Sequence, residues 1–498
     1  MRRTCHRIAM LVALGAAIVA RAGEAADAAS LRSRIEAAIE AEDYDLAARL
    51  ARDLFRAPDA DAQGRGMAYL ARGLQLAARK EYRAARILMG RAADALPEPV
   101  DVLGMRANLA FRTGDFAGAA EDVERLVALD PGFLEQQSGE PIYRIWRALR
   151  KKGGAPLYRF LQTLLDAGFD GGRGHGAIDW MWLDLTRLHA QAGRSEDARA
   201  ALDRIFDPEA ILEAMIDRRY ADLWPILDGR GIADAESLYR RDLDYAKERL
   251  AAHPKSLAVL YQYFGALRQA EEFTAARHVA QDYFRHSGEY DAEDALERRR
   301  ISLAFLEGMA AIARAEGRWD EALDLMRSLA GLSADAFPSL VNQKIDLAIY
   351  LLEARRYEEA LAAAARINPD RARKYGNFFI RMVEACSHAF LGDDEAAGAA
   401  AAPVLAEPTA NPGAAELIAL CLDDAEEVVR VFLVLLDDPD SRSDALLTLA
   451  LHQPEDDGIA LLVALRRRLD AIRDDPRLVA ARRHYGRELP FPLPGTGL

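Results

Sequence analysis

Apolar residues recur through most of this 498-residue chain at helical spacing, and the spacing itself repeats. One segment reads Tyr82-Arg83-Ala84-Ala85, with Ala92 and then Pro97 downstream. A second reads Phe116-Ala117-Gly118-Ala119, with Leu126 and Pro131 at the same offsets. Tyr82 to Phe116 and Pro97 to Pro131 are both steps of 34 residues. A third copy begins at Trp319-Asp320-Glu321-Ala322. Each places an aromatic after a short polar turn and a small residue three positions later. The pattern predicts pairs of antiparallel helices, with the landmark residues in the core. Gly73 and Ala107 fill a further small slot, in the first helix of their pairs.

A gapless helix–turn–helix period of this length resembles the tetratricopeptide repeat (TPR) family. The resemblance implies an all-α fold, a right-handed α-solenoid of stacked TPR-like repeats with a concave face for proteins or peptides. It is most specific over residues 66–131, good over 179–208, and loose elsewhere.

Other pairs follow the landmarks less closely. Tyr44 and Ala47 mark a pair ending near Ala57. Residues 132–178 depart from the period: helix from Tyr143 to Leu165, interrupted at Gly153-Gly154, then a glycine-rich loop at 171–176. The pattern returns with Trp182, Leu185 and Ala198. Residues 211–224 read as a short closing helix, with a boundary between two arrays near residue 230. Phe273/Ala276, Trp319/Ala322 and Tyr357/Ala360 continue at intervals of 46 and 38 residues, and Gly392-Asp393-Asp394 with Ala397 is a weaker copy. Helix pairs without landmarks are expected from Glu416 to Arg473, and an extended or disordered tail from Pro490. The resulting division is residues 1–22, a signal peptide; 23–135, an N-terminal array; 136–230, a connector, one repeat and a cap; 231–408, a degenerate array; and 409–498, a helical cap and tail.

Residues 1–22 carry four arginines and no acid, around a 13-residue apolar run from Ile8 to Ala20. Ala20-Arg21-Ala22 supplies small residues for cleavage. This is a secretory pattern, too short for a membrane span, and predicts a periplasmic or secreted protein with no integral membrane segment after cleavage. The formal charge of −14 opposes nonspecific binding to nucleic acid. Seven lysines against 58 arginines fit a GC-rich bacterium.

After cleavage, Cys386 and Cys421 remain, 35 residues apart on equivalent first helices. An oxidising compartment permits a disulfide between them. Helix axes packed about 8–10 Å apart argue instead for two buried free thiols.

No nucleophile, zinc or phosphate-binding motif is present, and neither a metal nor a cofactor is expected. Asp437–Asp444 lacks the glycine and terminal glutamate of a calcium loop. The function read from these features is a noncatalytic scaffold binding a protein or peptide in the bacterial cell envelope. The alternative is an enzyme, or enzyme subunit, of envelope metabolism with an unrecognised helical site. The resemblance places the binding face on the first helices, and the candidate residues are Asn108, Phe111, Arg112, Trp180 and Arg187. Lysines and asparagines that capture a peptide carboxylate in some relatives are replaced here by Met67, Leu70 and Leu74.

Overall fold

The structure is a computed structural model, and it describes residues 27–97, 99–136, 139–171, 178–292, 295–332, 341–453 and 458–495. The expected signal peptide and most of the glycine-rich loop at 171–176 lie outside these residues. The fold is an all-α solenoid of TPR-like helix pairs, in two compact units divided between Arg173 and Gly174.

The first unit holds four helix pairs in sequence. They are α1 (Ala28–Glu40) with α2 (Tyr44–Arg56), α3 (Ala62–Ala78) with α4 (Tyr82–Ala95), α5 (Val100–Arg112) with α6 (Phe116–Leu129), and α7 (Gly139–Arg150) with α8 (Gly154–Asp166). The irregular stretch beyond residue 132 is thus itself a helix pair. Gly153 and Gly154, at φ +63° and +77°, form its turn, a backbone shape that costs glycine little.

The second unit begins with α9 (Asp179–Gln191) and α10 (Ser195–Leu202), followed by α11 (Pro208–Ile216), a 3₁₀ turn at Arg218–Leu223 and α12 (Trp224–Asp228). Next come α13 (Ala235–Ala252), α14 (Leu257–Gln269), α15 (Phe273–His286), α16 (Ala295–Ala315), α17 (Trp319–Ala330), α18 (Val341–Glu353) and α19 (Tyr357–Ala364). It ends with α20 (Pro369–Leu391), α21 (Asp394–Leu405), α22 (Pro412–Cys421), α23 (Ala425–Asp437), α24 (Arg442–Thr448), α25 (Ala460–Ile472) and α26 (Pro476–Tyr485).

The repeat is written in the turns. Each of Glu42, Lys80, Gly114, Gly193, Glu271, Gly317, Arg355, Gly392 and Asp423 is left-handed, two residues before its second helix begins. The amide after the left-handed residue reaches back to close the first helix, as in Glu81 N to Leu76 O at 2.9 Å and Arg356 N to Leu351 O at 2.8 Å. This is the bond that satisfies an orphan carbonyl at a helix C-terminus. The small residue five positions after the left-handed one is sealed: Ala47, Ala85, Ala119, Ala198, Ala276, Ala322, Ala360 and Ala397 are all fully buried. The ninth turn, at Asp423, has the larger Val428 in this slot, also buried.

A lysine held at φ +63° carries a steric cost that glycine avoids. Lys80→Gly should therefore raise stability by roughly 0.5–1 kcal/mol, despite glycine's greater unfolded-state entropy. A urea midpoint unchanged or lowered in the variant would contradict that.

The degenerate repeats keep the architecture by exchanging volume. Phe264 occupies the first-helix slot held elsewhere by Gly73 and Ala107, nine residues before the turn aromatic. It is fully buried and packs on Phe305 with ring centroids 4.8 Å apart. Gly308 on the next first helix faces its ring, where a Cβ would overlap it.

Two features join distant parts of the second unit. The boundary expected near residue 230 falls inside the second unit. There the chain's end returns to residues 215–228: Arg487 N donates to Ile216 O at 2.9 Å, and Ser443 Oγ donates to Asp217 at 2.8 Å. The tail is ordered through Gly495, extended against residues 451–453, with Phe491 and Leu493 buried. The second feature is the cysteine pair. Cys386 on α20 and Cys421 on α22 form a disulfide, with Cα atoms 5.1 Å apart. Axis spacing was the wrong measure. Cα atoms stand about 2.3 Å off each axis, so facing positions of packed helices approach to about 4–5 Å, within reach of a bridge.

Candidate functional site

Three of the five residues predicted to bind a partner form one cluster in the first unit. Asn108 and Arg112 are exposed on the last turns of α5, and Arg112 Nε donates to Asn108 Oδ1 at 2.9 Å. The same guanidinium lies over the Tyr82 ring, 5.5 Å from its centroid, and Nη1 donates to the Tyr82 hydroxyl at 3.4 Å. Phe111, half-buried, packs edge-on against Phe116 at 5.8 Å. Arg144 of α7 covers its other side, 4.3 Å from the ring centroid. Among the described residues, neither Arg112 nor Arg144 has an acidic partner. Two cations are thus held by aromatic faces and an amide, with their charge left unneutralised.

The other two residues, Trp180 and Arg187, belong to the second unit. They lie seven residues apart on α9, two turns along the same face. Trp180 is half-buried. Arg187 pairs with the buried Asp184 at 3.4 Å and lies 5.8 Å from the Tyr220 centroid, so its charge is already engaged. Met67 is half-buried against the core of the preceding helix pair, and Leu70 and Leu74 against a core shared with α4 and α5, a packing role.

Sequence reasoning missed a cavity of about 370 Å³ in the second unit, formed by the start of α9, residues 204–207, α13 and α14. Asp179 anchors one wall. It is buried and accepts hydrogen bonds from the amides of Phe206 at 2.6 Å and Asp207 at 3.4 Å. Asp207 in turn caps α11, accepting from Glu209 N at 2.9 Å. Tyr245 of α13 stacks face to face on Phe206 at 3.7 Å, which locks the turn to the helix. The carboxyls of Asp179 and Asp242 are both pushed up to about 7. Burial is the larger cause in each, and the charge of Asp207 adds to it. Asp207 is itself raised, by burial. Arg204, Arg249 and Arg268 also line the space, with Gln262 and Gln269. No motif marks these residues. Acids and arginines scattered at helical spacing read as solvated faces until the helices are assembled.

Among the described residues, no helix is long and apolar enough to cross a membrane, and no group of three or more His, Cys, Asp or Glu is arranged to hold a metal.

No family model matches the chain, and no curated protein does. Three solved structures that resemble it are distant. Yeast Tom70 is 11% identical, over 91% of this chain and 98% of that one, with a TM-score of 0.32. The Cut9–Hcn1 hetero-tetramer of the APC/C is 14% identical, over 92% and 86%, with a TM-score of 0.31. Naa15/Naa10 bound to HypK is 12% identical, over 92% and 73%, with a TM-score of 0.26. Likeness at this level adds nothing to the repeat geometry of the turns and sealed alanines.

Proposed function

We propose that this chain is a noncatalytic scaffold, exported to the bacterial cell envelope, that binds a protein or peptide partner on the first-helix face around Asn108, Phe111 and Arg112. One observation carries the reading: Arg112 and Arg144 sit preset over Tyr82 and Phe111, without an acidic partner among the described residues. Arginine and aromatic side chains dominate interface energies, and groups already held in place lose less freedom on binding. The chemistry suits a segment that offers acidic and apolar side chains together. Trp180 and Arg187 are a secondary element of the proposal, because Arg187 must first give up Asp184.

Export is supported by the apolar run at 8–20 and by the Cys386–Cys421 disulfide, which persists in oxidising compartments. N-terminal sequencing should find a mature chain beginning near Gly23 or Ala26.

The surface is tested with Phe111→Ala combined with Arg112→Glu, against a partner captured from envelope extract. Loss of affinity should be about tenfold or more, in a protein with unchanged circular dichroism. A change below about threefold, under roughly 0.7 kcal/mol, would remove this face from consideration. Turnover in a hydrolase screen would favour the enzyme alternative.

A further inference from the structure

The cavity in the second unit has two chemically different ends. Asp242 and Arg249 lie seven residues apart on α13, which places them on one face about 10 Å apart along the axis. Tyr245 and Ala246 lie between them.

The basic end is organised. Arg249 Nη1 donates to Gln262 Oε1 across the helix pair at 3.1 Å, and its guanidinium lies 5.9 Å from the Tyr245 centroid. Gln262 Nε2 is buried and has no hydrogen-bond partner among the described residues. A buried amide donor left this way costs free energy, which an incoming acceptor recovers.

The acidic end has the opposite need. Asp179 Oδ1 accepts from the amides of residues 206 and 207, which tie it to the turn. Asp242 accepts no hydrogen bond among the described residues. The charges that act on it are those of Asp207 and Asp179, and none of the cavity's arginines is among them. A donor carrying positive charge would satisfy Asp242 and relieve the repulsion.

A ligand that answers both ends carries a cation and an anion about 10 Å apart. An extended peptide spans about 3.3–3.6 Å per residue, so two or three residues bridge that distance. The cavity volume of about 370 Å³ falls at the small end of ligand sites. Between the ends the wall is low. A Cβ built on Gly265 meets no atom within 4 Å, and Ala246 and Ala266 flank the same space.

We propose that this cavity holds a short zwitterionic peptide of two or three small residues, its amino terminus at Asp242 and its carboxylate at Arg249 and Gln262. The site lies wholly within the second unit and does not depend on the Arg112 surface.

The test is isothermal titration of the full chain with trialanine, N-acetyl-trialanine and trialanine amide. Trialanine should bind, and capping either terminus should weaken binding about tenfold or more, since each cap removes a charge-assisted contact. Asp242→Asn should lower affinity for trialanine to a similar degree and abolish the effect of N-acetylation. Gly265→Leu, which projects a side chain into open space, should remove binding while the melting temperature holds. The proposal is overturned if trialanine gives no heat at millimolar concentration, if either capped peptide binds as well as the free one, or if Gly265→Leu binds like the parent. The peptide comparisons on the unaltered protein remain decisive should a variant fail to fold.

Discussion

Raising the pH from 5.5 to 8.5 should destabilise the protein, and Glu416→Gln should recover much of the loss. Glu416 stands on α22 in the first-helix slot that Ala348 and Ala385 fill in the two preceding pairs. It is 7% exposed. Burial pushes its carboxyl up to about 8, and the facing charge of Asp444 adds to the shift against a hydrogen bond with Thr448. In the unfolded chain the same group titrates near about 4.3. Between these values the folded state holds a proton that the unfolded state has released. Stability is therefore full below about pH 4.3 and is lost progressively as pH rises through 8. A shift of this size corresponds to roughly 3–5 kcal/mol at most. Asp179 and Asp242, near 7, and Asp122 and Asp346, near 6, push the same way, each chiefly through burial. Urea unfolding at three pH values checks this. Parent and variant should coincide near pH 4 and separate by about 3–5 kcal/mol at pH 8.5. Parallel curves at every pH would show that Glu416 is not the buried acid responsible.

Reduction should cost nearly as much. The Cys386–Cys421 bridge closes a loop of 35 residues that includes all of α21. Restricting a loop of that length in the unfolded chain stabilises the native state by about 2–4 kcal/mol. Thermal melting with and without reductant should show a drop in midpoint for the parent. The double variant Cys386→Ala, Cys421→Ala should melt at the lower temperature in either condition. Cys386 and Cys421 both titrating as free thiols in protein isolated without reductant would refute the bridge as a native feature.

The fold was legible where local chemistry repeats. A turn aromatic such as Tyr82 or Trp319, with alanine three residues on, reports a helix pair directly, because the close approach favours a small side chain. The reading weakened where two positions trade volume, as Phe264 and Gly308 do. Such compensation lies between repeats and leaves no period along the chain. The residue-150 helix pair was hidden because two glycines replace the usual turn landmarks. The surface at Asn108, Phe111 and Arg112 was found by offset within the repeat, but Tyr82 and Arg144, which position it, come from neighbouring pairs. The cavity was illegible. Asp242 and Arg249 look like any charged stripe on a helix, and their burial follows from what packs against them.

A linear stack of repeats ordinarily has two ends that can peel away, since each repeat is braced only by its neighbours. In the second unit the last segment is fastened back onto one of the first through Arg487, Gly486 and Ser443. The C-terminal end of that unit is then not a free starting point for unzipping. Opening from that end must begin by breaking the clasp. The local openings that let amides exchange with solvent in an open array become coupled across some 270 residues of sequence, as the Arg487–Met215 contact spans. A unit closed in this way resists piecemeal proteolysis from its C-terminal end.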